Sequence, residues 1–189
     1  MNPHTDIRGT GACRIEIHTV EVWNQGRGQQ YKQQERACVY GPDGRCMATC
    51  TPSKLVTLRA LFHRAKEAGL HSALSPEPLI LEQEVMDLRL RYRPGVRPHG
   101  QDTTSDTKSM WSSHPTLVAA MRTHLGINAD RFASPLDVQG HDLRFWSKHS
   151  RDAAFEAHAD AYSCTWQGYS YAFAGSDTTC IEKATKWAL

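Results

Sequence analysis

Three of the six cysteines lie close together as Cys38-x7-Cys46-x3-Cys50, and with His18 or Cys13 they could supply four ligands to a tetrahedral zinc ion. The spacing lacks the tight Cys-x2-Cys knuckle that aims two thiolates at one ion, so unpaired thiols are the reading it favours. Cys164 or Cys50 beside one of the ten histidines would suit nucleophilic catalysis, yet nothing in the spacing selects a pair. His114, just before Pro115, is placed to cap a helix. His141, His149 and His158 stand among charged residues and read as solvated surface.

A second chemistry is base stacking. Trp146, Trp166 or Tyr169 could serve as platforms for bases, with Arg131, Arg144, Lys148 and Arg151 on phosphates; the same aromatic spacing also suits burial in a core. The balance of 22 basic against 20 acidic residues, a formal charge of +2, gives no broad field to draw in nucleic acid, so such binding would be local. Arg89, Arg91, Arg93 and Arg97 read as a charged strand edge that discourages aggregation. No apolar stretch is long enough for a signal peptide or a membrane span. The expectation is an intracellular chain, cytoplasmic or nuclear, with no membrane partner and with reduced cysteines.

The elements that would position these groups are uneven in clarity. Residues 1–52 are loosely β or disordered: Ile15, Ile17, Val20 and Val22 nearly alternate with polar residues, Gly26 to Gln30 reads as a loop, and Val39 to Gly44 reads as a strand entering a turn. A helix is predicted from an N-cap at Ser53 through Leu55, Leu58, Phe62 and Ala65 to Gly69. Ser75-Pro76-Glu77-Pro78 opens another through Leu79, Ile80 and Val85. Met86, Leu88, Leu90 and Tyr92 then alternate with Asp87, Arg89 and Arg91 as a strand would, ending at Pro94-Gly95. The turn-rich residues 96–109 form a boundary. Pro115 starts a helix with Leu117, Val118, Met121 and Leu125 on its apolar face and Gly126 as its stop, and a short strand follows from Ile127 to Ala133.

The segment from Met110 to Ala174 carries a distinctive series: Trp111-x-x-His114-Pro115, Asp130-Arg131-Phe132-Ala133-Ser134, Phe145-Trp146-Ser147, Asp160-Ala161-Tyr162, and Trp166-x-Gly168-x-x-Tyr171-Ala172. It resembles the region after ribonuclease H in the Pol polyproteins of DIRS-like and related retroelements. The preceding Leu79 to Gly95 looks like the last strand of a retroelement ribonuclease H domain. The C-terminal pattern is also similar to phage-type DNA adenine N6-methyltransferases.

These resemblances imply an α/β or α+β chain with an incomplete ribonuclease H-like end over residues 53–108, a small methyltransferase-like remnant over 109–175, and an unassigned tail over 176–189. In the methyltransferases an Asn-Pro-Pro-Tyr motif grips the exocyclic amine of a flipped adenine. Here the corresponding place reads Tyr171-Ala172-Phe173-Ala174-Gly175, which has no amide acceptors to orient the target nitrogen. Asp130 is the residue nearest a methyl donor if one binds; an Asp at a strand end is also an ordinary turn or cap residue. Ribonuclease H chemistry needs several carboxylates around two divalent cations. Asp102 or Asp106 could be a displaced relic of that set, but the fold's earlier acidic strands are not recognisable. The expectation is a degenerate retroelement Pol fragment without catalysis of its own, in which S-adenosylmethionine or a divalent metal binds only where ancestral sites survive. The alternative is a small nucleic-acid-binding protein, zinc-containing or not, that keeps the fold without the chemistry.

Overall fold

The computed structural model describes residues 11–24, 30–92, 114–138, 142–173 and 178–188. Trp111, the acidic pair Asp102 and Asp106, Arg93, Arg97, His141, the boundary over 96–109, the loop at Gly26 to Gln29 and the end of the Tyr171 to Gly175 segment lie outside them. The described residues fall into two units, one within Met1–Arg59 and Leu79–Tyr92, the other within Ala60–Pro78 and Arg93–Leu189.

The first unit is built on a three-stranded antiparallel sheet of β1 (Arg14–Asn24), β2 (Gln30–Tyr40) and β3 (Cys46–Cys50), in the order β1-β2-β3. This is more regular than the loosely β region read from the sequence. Because side chains alternate across a strand, Ile15, Ala37 and Cys50 share one face, where they cluster with Leu55. Asp43 accepts the Arg45 amide at 3.0 Å, and Gly44, at φ 76°, completes the turn into β3 in a conformation that favours glycine.

Helix α1 (Pro52–Glu67) is capped by Thr51, whose Oγ1 accepts the Lys54 amide, rather than by Ser53. Its buried residues, Leu55, Leu58, Leu61, Phe62 and Ala65, recur at helical spacing, and Gly69 stops it in the left-handed region. Helix α2 (Leu70–Leu74) follows. The strand expected over Met86 to Tyr92 is instead the second half of helix α3 (Leu81–Arg91). Its period is set by burial: Glu84, Val85, Met86 and Leu88 are buried while Leu90 is exposed, a one-sided stripe that a pleated strand would not give. The ribonuclease H resemblance therefore loses the strand that ended it.

In the second unit helix α4 (Pro115–Leu125) begins as its sequence suggests, with His114 Nδ1 accepting the Thr116 amide and Pro115 in the first turn. Gly126, at φ 66°, donates its amide to the Arg122 carbonyl and ends it. A Gly126→Ala chain is expected to lose about 1 kcal/mol in urea unfolding from left-handed strain alone, since no atom of the other described residues lies near a Cβ there. A loss under a few tenths would mean that the turn relaxes.

The strand after it is shorter than expected. β4 is only Ala129–Asp130 and turns at Arg131. It pairs in parallel with β5 (Arg144–Ser147) on one side and β7 (Ser170–Tyr171) on the other, and β5 pairs in parallel with β6 (His158–Ala159). The order is β6-β5-β4-β7. Phe145, Trp146 and Ser147 are all buried, as a strand covered on both faces requires. A 3-10 turn at Ser150–Phe155 adds Ala154 and Phe155; Phe62 packs on Phe155, and His71 Nε2–H donates to the Ala154 carbonyl. The tail read as unassigned is helix α5 (Thr178–Ala188). The chain is mixed α/β with one antiparallel and one parallel sheet. No helix among the described residues is long and apolar enough to cross a membrane.

Candidate ligand site at the ends of the parallel strands

β4 is the first strand of the parallel sheet in sequence and lies inside it, with the next two strands on one side and the fourth on the other. The strand order therefore reverses between β4 and β7, and in open parallel sheets ligands bind at the carboxyl ends of the strands flanking such a reversal. The groups there are Asp130 to Ala133 after β4 and Tyr171 to Phe173 at the end of β7.

Asp130 is 6 % exposed and accepts the Phe132 amide at 3.2 Å. Burial pushes its carboxyl up from 3.8 to about 7; the Phe132 hydrogen bond opposes this and the negative charge of Asp137 adds to it. Its neighbour Arg131 points into the unit and is 2 % exposed. The guanidinium carbon lies 3.9 Å from the Trp146 ring centre and 5.2 Å from that of Trp166, and Nε donates to Ser170 Oγ at 3.0 Å. Burial lowers the Arg131 pKa, and the adjacent Cys164 sulfur opposes that shift.

The residues proposed for nucleic acid are thus divided. Arg131 and Trp146 are turned to each other inside the unit. Trp166 is half-buried, with its indole N–H donating to the Ala161 carbonyl at 2.6 Å. Arg144 and Lys148 are exposed, as is Tyr169. His158 is exposed, as read from the sequence, and stacks on Trp146 with ring centres 4.8 Å apart; partial burial of its ring lowers its pKa.

Sequence reasoning missed what α5 contributes. Lys183 sits 3.9 Å from the Tyr162 ring centre, the Tyr162 hydroxyl donates to the Cys180 carbonyl, and the Trp187 indole donates to the Cys164 carbonyl. Cys180, Lys183 and Trp187 stand at helical spacing on one face, a signal visible in the sequence once the tail is treated as a helix. Among the described residues no group of three or more histidine, cysteine, aspartate or glutamate side chains is placed to hold a metal ion. Comparison with protein-family models, with curated proteins and with solved structures finds no match.

Proposed function

We propose that residues 114–173 are the binding half of a methyltransferase-like α/β module, descended from the tail of a retroelement Pol polyprotein, which binds an adenosyl cofactor without transferring its methyl group. The observation that carries this is a buried carboxyl, Asp130, at the carboxyl end of the central strand where the order β6-β5-β4-β7 reverses. The chemistry around it narrows the ligand. A dinucleotide needs glycines where its pyrophosphate meets the backbone, and residues 131–138 contain none. Asp130 with Asp137 beside it disfavours phosphate and favours a cation. S-adenosylmethionine is phosphate-free and carries a sulfonium and an ammonium group, so it fits. When bound it would supply an activated methyl group, with Asp130 holding its cationic end.

Catalysis is absent from this reading because β7 runs into Ala172 and Phe173, which present no side-chain acceptor for an adenine amine. The proposal does not extend to a ribonuclease H, since residues 81–91 are helical. Titration calorimetry of the full chain with S-adenosylmethionine tests it. Binding is expected to be roughly tenfold tighter at about pH 8 than at about pH 6, because the carboxyl must ionise to hold a cation, with no methyl transfer to adenine-containing DNA. Asp130→Asn should weaken binding and flatten its pH profile. No binding at millimolar cofactor, or unchanged binding in Asp130→Asn, would overturn the assignment; methylated DNA would overturn the inactive part of it.

A further inference from the structure

We infer that Cys38 and Cys46 form a thiol pair that responds to peroxide by closing to a reversible disulfide. The pairing of β2 with β3 places Ala37 opposite Cys50, Cys38 opposite Thr49 and Val39 opposite Ala48, and then Tyr40 opposite Cys46. Met47 is the extra residue of a β-bulge. Without it Cys46 would stand opposite Gly41 and point to the other face from Cys38, because side chains alternate along a strand. The bulge turns Cys46 back to the face that carries Cys38 and Tyr40, diagonally across the strand pair from Cys38, where its thiol donates to the Ala48 carbonyl at 3.5 Å.

The two sulfurs differ in access. Cys46 is exposed, whereas Cys38 is 7 % exposed and its thiol is pushed up by burial and by Cys46 beside it. Cys46 is therefore the sulfur a peroxide meets. Its thiolate attacks the near peroxide oxygen: an S–O bond forms, the O–O bond breaks, and the departing oxygen takes a proton to leave as water or an alcohol. Cys38, as thiolate, then attacks the Cys46 sulfenic sulfur; the S–S bond forms and hydroxide leaves, taking a proton to become water. Two thiols are oxidised by two electrons and one peroxide is reduced. Disulfide formation draws the sulfurs to about 2 Å, a movement eased because β3 is a short, bulged edge strand.

The test is hydrogen peroxide treatment of the full chain, alkylation of remaining thiols, tryptic digestion and mass spectrometry. Cleavage after Arg36, Arg45 and Lys54 leaves Cys38 and Cys46 on different peptides. The expected product joins these peptides with the loss of two hydrogens and separates on reduction with a dithiol. It should persist in Cys50→Ser, which shares a peptide with Cys46, and vanish in Cys46→Ser. In Cys38→Ser the Cys46 sulfenic acid should be trapped by a cyclic diketone. Loss of the product in Cys50→Ser would assign the bridge to Cys50 and overturn the pair, as would peroxide-treated chain in which Cys38 and Cys46 are both still alkylated.

Discussion

An Arg131→Ala chain is expected to lose on the order of 3 kcal/mol of unfolding free energy, read as a shift in urea midpoint by near-ultraviolet circular dichroism. The side chain holds three things at once: the face of Trp146, the more distant face of Trp166, and the Ser170 hydroxyl on β7. Truncation removes a desolvated cation–π contact, takes the donor from the half-buried Ser170 hydroxyl and opens a cavity. The relief of no longer burying a guanidinium offsets part of this. Arg131→Lys should recover only some of the loss, because an ammonium lacks the flat fork that lies on one ring while donating to Ser170. Arg144→Ala, an exposed arginine one strand away, should stay within about 0.5 kcal/mol. A loss below about 1 kcal/mol for Arg131→Ala would mean that the guanidinium is not held between the indoles.

Asp130 should reverse the usual dependence of stability on acid. Its folded pKa is about 7 against 3.8 ordinarily, so between those values the folded chain keeps a proton that the unfolded chain has released. Stability from this group is therefore full below about pH 4 and is lost as pH rises through about 7, a change on the order of 4 kcal/mol. Asp130→Asn removes the term. The variant should match the parent near pH 4 and exceed it by several kcal/mol near pH 8, in urea titrations run at both. Equal stability of the two chains near pH 8 would place the carboxyl in water. The same residue then links stability to binding: the charge that weakens the fold above neutrality is the charge a cationic ligand would neutralise.

The sequence made some of this architecture readable and hid the rest for identifiable reasons. Helix α4 could be read because His114, Pro115 and Gly126 each act locally, as cap, first-turn residue and left-handed stop. Helix α1 was legible in its apolar spacing, although its cap moved to Thr51. Residues 86–92 misled because Asp87, Arg89 and Arg91 alternate with apolar neighbours, and only tertiary burial of Val85 and Leu88 on one side decides for a helix. Asp130 was singled out by resemblance, but its ionisation follows from burial, which no local pattern carries. Arg131 and Trp146 looked like a surface for nucleic acid because cation and ring attract each other equally well inside a core. The thiol pair was hidden because a bulge at Met47 changes which face Cys46 occupies, and bulges leave little trace in composition.

The unequal lengths of the antiparallel strands have a consequence for self-association. β1 and β2 pair over eleven residues each, while β3 covers β2 only from Ala37 to Tyr40. The rest of β2, Gln30 to Arg36, is not paired with β3, and among the described residues no other strand covers that edge, which leaves main-chain amides and carbonyls facing any extended segment that approaches. Its sequence there, Gln30-Tyr31-Lys32-Gln33-Gln34-Glu35-Arg36, mixes both charges with amides and contains no aliphatic residue. An approaching copy would have to strip water from the exposed Glu35 carboxylate with little apolar contact in return. The hairpin can thus extend past its third strand without becoming a seed for fibrils, and exchanging the exposed Glu35 for valine would weaken that protection.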